Sequence, residues 1–359
     1  MNATSPSSET KIVVVPGRSR FWGRLGWIAF FICLAILFSN LRQREAYYDT
    51  TSGTTEKYFS GQKQSDNKIA IVRVSGVILS GQGFVKKQID RIRGDKQIKA
   101  VVVRIDSPGG TISGSHYLYH HLSQLRTERN LPVVVSMGSI AASGGYYIAM
   151  AAGKGEDLIF AEPTTTTGSI GVIIPYYNAT ELMKKIGVED QSIVSHPLKD
   201  MLSMTRELTE QERQIAQGYV DAGFRRFKRV ILESRPQLKG DEPDSLVDPK
   251  TGEDLATGQI FTAEQALEHQ LIDRIGYLED AIARAREMAG LKESNSRVIE
   301  YRQPVSLVNV LGGAEAQAYC DDVHHNREPG AFFWEATAPR AFYLATTLPP
   351  LLHTFRLVR

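Results

Sequence analysis

Cysteine is nearly missing from these 359 residues. Cys33 and Cys320 are the two present, and Cys33 lies in an apolar run, so neither a disulfide framework nor a cysteine-based metal site follows. Among the eight histidines, the adjacent pairs His120–His121 and His324–His325 lack the spacing of a metalloprotease helix. No metal and no cofactor is expected. An excess of one charge is lacking too: the net charge is +2 and no face-filling run of Lys and Arg appears, which sets nucleic acid aside as a partner. What remains is an ordinary globular composition, 42% hydrophobic and 23% charged. That is enough to bury a substantial core in one large domain with extensions, or in two.

Residues 1–20 are polar and read as a flexible tail. Leu25–Phe38 then runs without a charge, and Phe21, Trp22 and Ser39 lengthen it across Arg24. A spanning helix needs roughly 17–20 apolar residues, so residues 21–40 read as a single membrane anchor with Arg24 at the interface. A cleaved signal peptide is the rival, but Asn40-Leu41-Arg42-Gln43 offers no small-x-small site. Lys11, Arg18, Arg20 and Arg24 precede the run, which biases the N-terminus toward the cytoplasm and the bulk of the chain away from it, at the cell membrane. Residues 41–67, rich in Thr, Ser, Gly and Gln, read as a linker.

From Lys68 strand and helix alternate. Strands are expected over Lys68–Leu79 (alternating), Ala100–Ile105, from Val133, over Asp157–Ala161 and over Gln191–Ser195. Helices are expected over Phe84–Arg93, Ser113–Arg126, from near Ser143, and over Ala179–Ile186, Leu208–Ser234, Thr262–His269 and Leu278–Ala289. The fold class is therefore α/β with a largely parallel sheet, whose ligands sit beyond the strand carboxyl ends. Thr209 with Glu212 three residues on reads as a capping box. Gln237–Thr257 reads as a surface excursion, and beyond Gln303 the pattern fades.

The chain is organised around Val133–Ala149, VVVSMGSIAASGGYYIA. A buried strand runs into residues with almost no side-chain bulk, and Ser143 stands at a sharp strand-to-helix turn that suits a serine nucleophile beside an oxyanion hole. The competing reading is a tightly packed Gly/Ala turn. A serine needs a base. His116, His120 and His121 lie on the helix after the Asp106-Ser107-Pro108-Gly109-Gly110 turn, where His121 follows the apolar face, and His196 precedes a proline. Lys199 leaves the end of the expected strand Gln191–Ser195; on position alone the solvated loop lysine is the favoured reading over a base.

Five motifs in order settle on one family: the DSPGG turn, Ala142-Ser143-Gly144-Gly145, Thr167-Gly168-Ser169-Ile170-Gly171, Lys199-Asp200, and Phe261-Thr262-Ala263-Glu264 through Leu271-Ile272-Asp273-Arg274-Ile275-Gly276. From about Lys68 to Ala289 the chain resembles the signal peptide peptidase A (protease IV) family of membrane-bound serine peptidases, in its short form with one catalytic half. That resemblance implies a Clp protease/crotonase-like superhelical core, a serine peptidase domain over 68–292, and a C-terminal extension over 293–359 to which nothing transfers. It implies Ser143 as nucleophile, Lys199 as base, Ser169 as the residue orienting that base, and the Gly110 and Gly144 amides as the oxyanion hole, with Gly109 shaping the turn. It further implies peptide substrates, cleaved signal peptides among them, and a homo-oligomer. Gln270 departs from the glycine the family often has there. Met201, Leu202 and Met204 read as groove lining, as residues that desolvate Lys199, or as simple packing. A crotonase-type acyl-CoA enzyme and a non-catalytic membrane scaffold are the other readings of the same fold.

Overall fold

Runs of β-branched residues build the centre of a parallel sheet. In the computed structural model, β2 (Lys68–Ser75), β3 (Ile98–Ser107) and β5 (Val133–Ala142) lie side by side, Ile71 opposite Val102 and Val102 opposite Val134. Both faces are covered, so Ile69, Ala70, Ile71 and Val72 are buried in succession and the alternation expected over Lys68–Leu79 gives way to continuous burial. The structure describes residues 27, 30–34, 37, 54–242, 244–303 and 342–344, in two units, Met1–Ser52 and Gly53–Arg359. In the first, Trp27, Phe30–Leu34 and Leu37 are helical and exposed. Among the described residues no helix is long and apolar enough to cross a membrane. Most of the anchor expected over 21–40, the tail 1–20 and most of the extension 293–359 lie outside the described residues.

The remaining strands are β1 (Thr55–Gly61), β4 (Gly109–Thr111), β6 (Ile159–Ala161), β7 (Thr166–Gly168), β8 (Ile260–Thr262), β9 (Arg274–Ile275), β10 (Arg297–Arg302) and β11 (Phe342–Leu344). The main sheet runs β1-β10-β2-β3-β5-β6-β9; β7 continues β5 in parallel beyond β6, and β8 pairs antiparallel with β7. The helices are α1 (Phe84–Gly94), α2 (Ile112–Arg129), α3 (Gly144–Ala149), α4 (Thr180–Ile186), α5 (Glu210–Ser234), α6 (Ala263–Glu268) and α7 (Leu278–Met288). Val85, Ile89 and Ile92 of α1 and Leu118, Leu122 and Leu125 of α2 join one core with Val101, Val103 and Val135. Leu278, Ala281, Ile282 and Ala285 of α7 close the other face against Ile69, Val102 and Val134. Each buried Val, Leu or Ile side chain among these contributes roughly 1.5–3 kcal/mol by leaving water.

Three expectations are corrected. Thr55–Gly61, read as linker, is an edge strand paired with Arg297–Arg302, so the domain reaches from Thr55 to Arg302 and beyond both expected ends of 68–292. Its polar residues concealed it, because as an edge strand it is largely exposed. Gln191–Ser195 forms no strand; it is exposed and irregular. Gln237–Thr257 is anchored through Leu238, Leu246 and Leu255, all buried.

The Leu271-Ile272-Asp273-Arg274-Ile275-Gly276 motif is structural. Asp273 Oδ2 accepts from Leu158 N at 2.8 Å and Ile159 N at 2.9 Å, and Oδ1 pairs with the buried Arg235 at 2.9 Å. Arg235 also donates to Gln270 O at 2.8 Å, and Tyr146 OH donates to Leu271 O at 2.8 Å. Gln270 has φ +58°, which is why glycine suits that position. Removing the carboxyl leaves Arg235 buried and unpaired, so Asp273→Ala is expected to cost about 3–5 kcal/mol in urea denaturation. Gln270→Gly is expected to gain roughly 0.5–1 kcal/mol by relieving the left-handed backbone.

Candidate active site

β5 is shaped before it reaches Ser143. Ile105 and Ser107 of β3 oppose Met137 and Ala141, so β5 bulges over Gly138–Ile140. Asp106 fills the bulge: Oδ1 accepts from Ile140 N at 3.2 Å and Oδ2 from Ser139 Oγ at 3.3 Å. Thr165 Oγ1 and Thr167 Oγ1 donate to Gly138 O at 2.6 Å and Ala141 O at 2.7 Å, which fixes β7 along the same stretch.

Ser143 then turns the chain with φ +55°, ψ −114° and caps α3. A non-glycine residue there carries about 1–3 kcal/mol of backbone strain. The turn is held because Ser143 N donates to Gly168 O at 2.7 Å and Ser143 O accepts from Tyr147 N at 2.9 Å. The residue is 1% exposed. Gly144 follows as the first residue of α3, whose leading amides have no partner inside the helix.

The two glycine turns meet here. A Cβ at Gly144 would lie 2.3 Å from Ser115 Oγ and 3.1 Å from both Gly109 Cα and Gly110 N. A Cβ at Gly110 would lie 2.0 Å from Ile78 O. Ser107 holds the turn in place, its Oγ donating to Gly76 O at 2.6 Å and accepting from Gly109 N at 3.1 Å. Gly109 itself has φ +98°. On the other flank Ser169, φ +52° and 9% exposed, directly follows Gly168 and donates its N–H to Gln259 O at 2.7 Å. The fold thus gathers Ser143, Gly144, Gly110 and Ser169.

Among the described residues Lys199 makes no hydrogen bond to any of these four. It sits on an exposed turn, its N–H donating to His196 O at 2.8 Å. Among the described residues its Nζ makes no hydrogen bond or ion pair. The turn itself is tethered. Arg206 grips Asp200 at 2.8 and 2.9 Å and also the Glu212 carboxyl, which is buried beneath Thr209 in the capping box of α5. Arg206 holds the Asp200 carboxyl below the usual carboxylate range and that of Glu212 at about 2.

The histidines serve other contacts. His116 Nδ1 meets Tyr147 OH at 2.9 Å, and burial, then Arg226, lowers its pKa. His121, expected in the core, is half-buried, with Nδ1 3.2 Å from Gln124 Oε1. His196 Nδ1 accepts from Leu198 N at 3.2 Å. Sequence reasoning missed Ser115, a buried hydroxyl without a hydrogen-bond partner packed on Gly144, and Arg206. Ser115 one turn into α2 beside Gly114, and a lone arginine between Asp200 and Glu212, were the available signals. Beside β4 opens a cavity of about 760 Å³ walled by Ile112, Ile174, Met201, Leu202, Ile215 and Tyr219; Met204 is exposed.

Arg206→Ala should free the Lys199 turn, read as faster proteolytic nicking within residues 190–206. A carboxyl whose folded pKa is depressed adds stability above its ordinary value and loses it on protonation. Glu212→Gln is therefore expected to be less stable than the parent at neutral pH, with the gap in urea midpoint closing as pH falls from 4.5 toward about 2.

Comparison with known proteins follows the same residues. Residues 126–292 match the model of peptidase family S49. A putative protease of Synechocystis sp. is 40% identical over 70% of this chain and 84% of its own length. A putative signal peptide peptidase SppA of Enterococcus faecium is 32% identical over 79% of this chain and 84% of its own. Protease 4 of Salmonella typhi is 33% identical over 63% of this chain and 35% of that longer protein. With the Ser143 turn lying inside the matched span and relatives this similar along most of their length, the chain belongs to peptidase family S49, the SppA family.

Proposed function

We propose that this chain is a membrane-anchored serine endopeptidase that cuts hydrophobic peptides, cleaved signal peptides among them, with a Ser143/Lys199 dyad. Family membership supports the serine protease; the strained, buried Ser143 turn is the observation that carries the assignment of the nucleophile. Ser143 Oγ attacks the scissile carbonyl while neutral Lys199 accepts its proton, steadied by Ser169. The oxyanion forms against the Gly110 and Gly144 amides. Collapse expels the amine, which takes the proton from Lys199, and water then releases the acyl group by the same route. Each oxyanion donor is worth roughly 2.7–4 kcal/mol in such sites.

Two features support a peptide substrate. Phe342–Leu344 of this chain lies antiparallel on Gly109–Thr111, Tyr343 opposite Gly110, so the edge beside the oxyanion glycine accepts an extended chain. The apolar cavity beside that edge suits hydrophobic side chains. The anchor is the run over residues 21–40, with the domain facing away from the cytoplasm.

The base arrives on assembly in this reading. In the segment leading to Lys199, Ile173, Tyr177, Leu182, Ile186, Val188 and Ile193 are exposed, apolar side chains of the kind a second copy covers. Ser143→Ala and Lys199→Ala should each lose at least roughly a thousandfold in hydrolysis of an apolar peptide. Mixing the two variants should restore part of the activity where a site draws on two copies, and none where each chain supplies its own base. The parent's rate should rise toward alkaline pH, because only neutral lysine accepts a proton. Hydrolysis that survives either substitution contradicts the dyad.

A further inference from the structure

The cavity at the opposite end of β5 has a composition the peptidase reading does not use. It measures about 600 Å³ and lies where β3 and β5 begin, at Ile98 and Val133, whereas Ser143 stands beyond the carboxyl end of β5. Five cations line it, Lys96, Lys99, Arg126, Arg129 and Lys154, and no carboxylate does. Among the described residues none of the five enters an ion pair, although Arg93 and Arg104 nearby in sequence both do. Beneath them Ile98, Leu131, Val133 and Leu158 are buried, and Met288, exposed, with the half-buried Ala289 forms the accessible apolar wall.

The two arginines are fixed. A Cβ at Gly153, φ +80°, would lie 2.5 Å from Arg126 Cζ, so the guanidinium lies against bare backbone that only glycine offers. Gly153 is itself held, its O accepting from Ser234 Oγ at 2.8 Å and its N–H donating to Met150 O at 3.1 Å. Arg126 Nε is buried with no hydrogen-bond partner. Arg129 Nη1 donates to Ile92 O, Arg93 O and Asp95 O at 2.7, 3.0 and 3.1 Å, which fixes its charge at the wall without neutralising it. The lysines are the adjustable part; Lys99 Nζ reaches Lys96 O at 3.1 Å.

A guanidinium packed against backbone, with flanking ammonium groups, matches a phosphate group, and the apolar wall matches a hydrocarbon chain. We propose that this cavity binds a phosphate-headed amphiphile, the head on Arg126 with Lys99 and Lys154 and the chain on Met288 and Ala289. Small anionic lipids and alkyl phosphates share that chemistry.

The test uses the full chain in neutral detergent, titrated with hexyl phosphate, inorganic phosphate or hexanol while binding is followed by calorimetry and by the thermal unfolding midpoint. Hexyl phosphate should bind saturably, at least roughly tenfold tighter than inorganic phosphate because the chain adds buried apolar area, and hexanol should not raise the midpoint. Arg126→Ala should weaken hexyl phosphate binding about tenfold or more and leave peptide hydrolysis unchanged, with Arg126→Lys between. Should Arg126→Ala fail to fold, Lys99→Ala with Lys154→Ala serves in its place. Hexyl phosphate binding no tighter than inorganic phosphate, or unaffected by these substitutions, or matched by hexanol, overturns the proposal.

Discussion

The approach of two backbones at Gly144 and Gly110 is the constraint on which the rest of the site depends. With Ser115 Oγ 2.3 Å and Gly109 Cα and Gly110 N each 3.1 Å from the point a Gly144 Cβ would occupy, a methyl group there would force the Ser115 side chain and the facing turn to shift. The amides on either side come close because bulk is missing from both. The surrounding polar contacts hold that closeness: Ser107 sets the first turn, Asp106 absorbs the bulge in β5, and Gly168 O takes the Ser143 amide. Each net contribution is only about 1 kcal/mol. Together they hold a serine in a backbone conformation it would not adopt unaided.

Around this centre the fold divides its labour. Parallel strands buried on both faces form the rigid part, and the Arg235–Asp273 pair ties the far edge of the sheet to the end of α5. The segment carrying Lys199 is different in kind. It is exposed, irregular and rich in uncovered apolar side chains, and its attachment runs through Arg206 to the start of α5. The Ser143 turn is thus held rigidly in the sheet, while the Lys199 turn is tethered separately. The basic cavity at the other end of β5 lies apart from both.

Much of this was legible in the residues, for identifiable reasons. Runs of consecutive valines announced β3 and β5, and Thr209 with Glu212 announced the start of α5 because the capping box is local chemistry. The turn at Ser143 was legible because only small residues fill it. Thr55–Gly61 was not: an edge strand keeps polar residues, and its partner Arg297–Arg302 lies more than two hundred residues away. Gln191–Ser195 misled in the opposite direction, since Ile193 and Val194 look like strand residues but lie exposed with no neighbouring strand to pair with. Ser115 and Arg206 are significant only through partners distant in sequence or across a turn, which pattern alone does not reveal.

The reading proposed above makes the Ser143 hydroxyl the attacking group. Its most direct test is the full chain treated with a fluorophosphonate, with the adduct located by peptide mass spectrometry. A single stoichiometric adduct on Ser143 is expected. A chain that stays unlabelled while hydrolysing peptide, or one labelled at another serine, contradicts it.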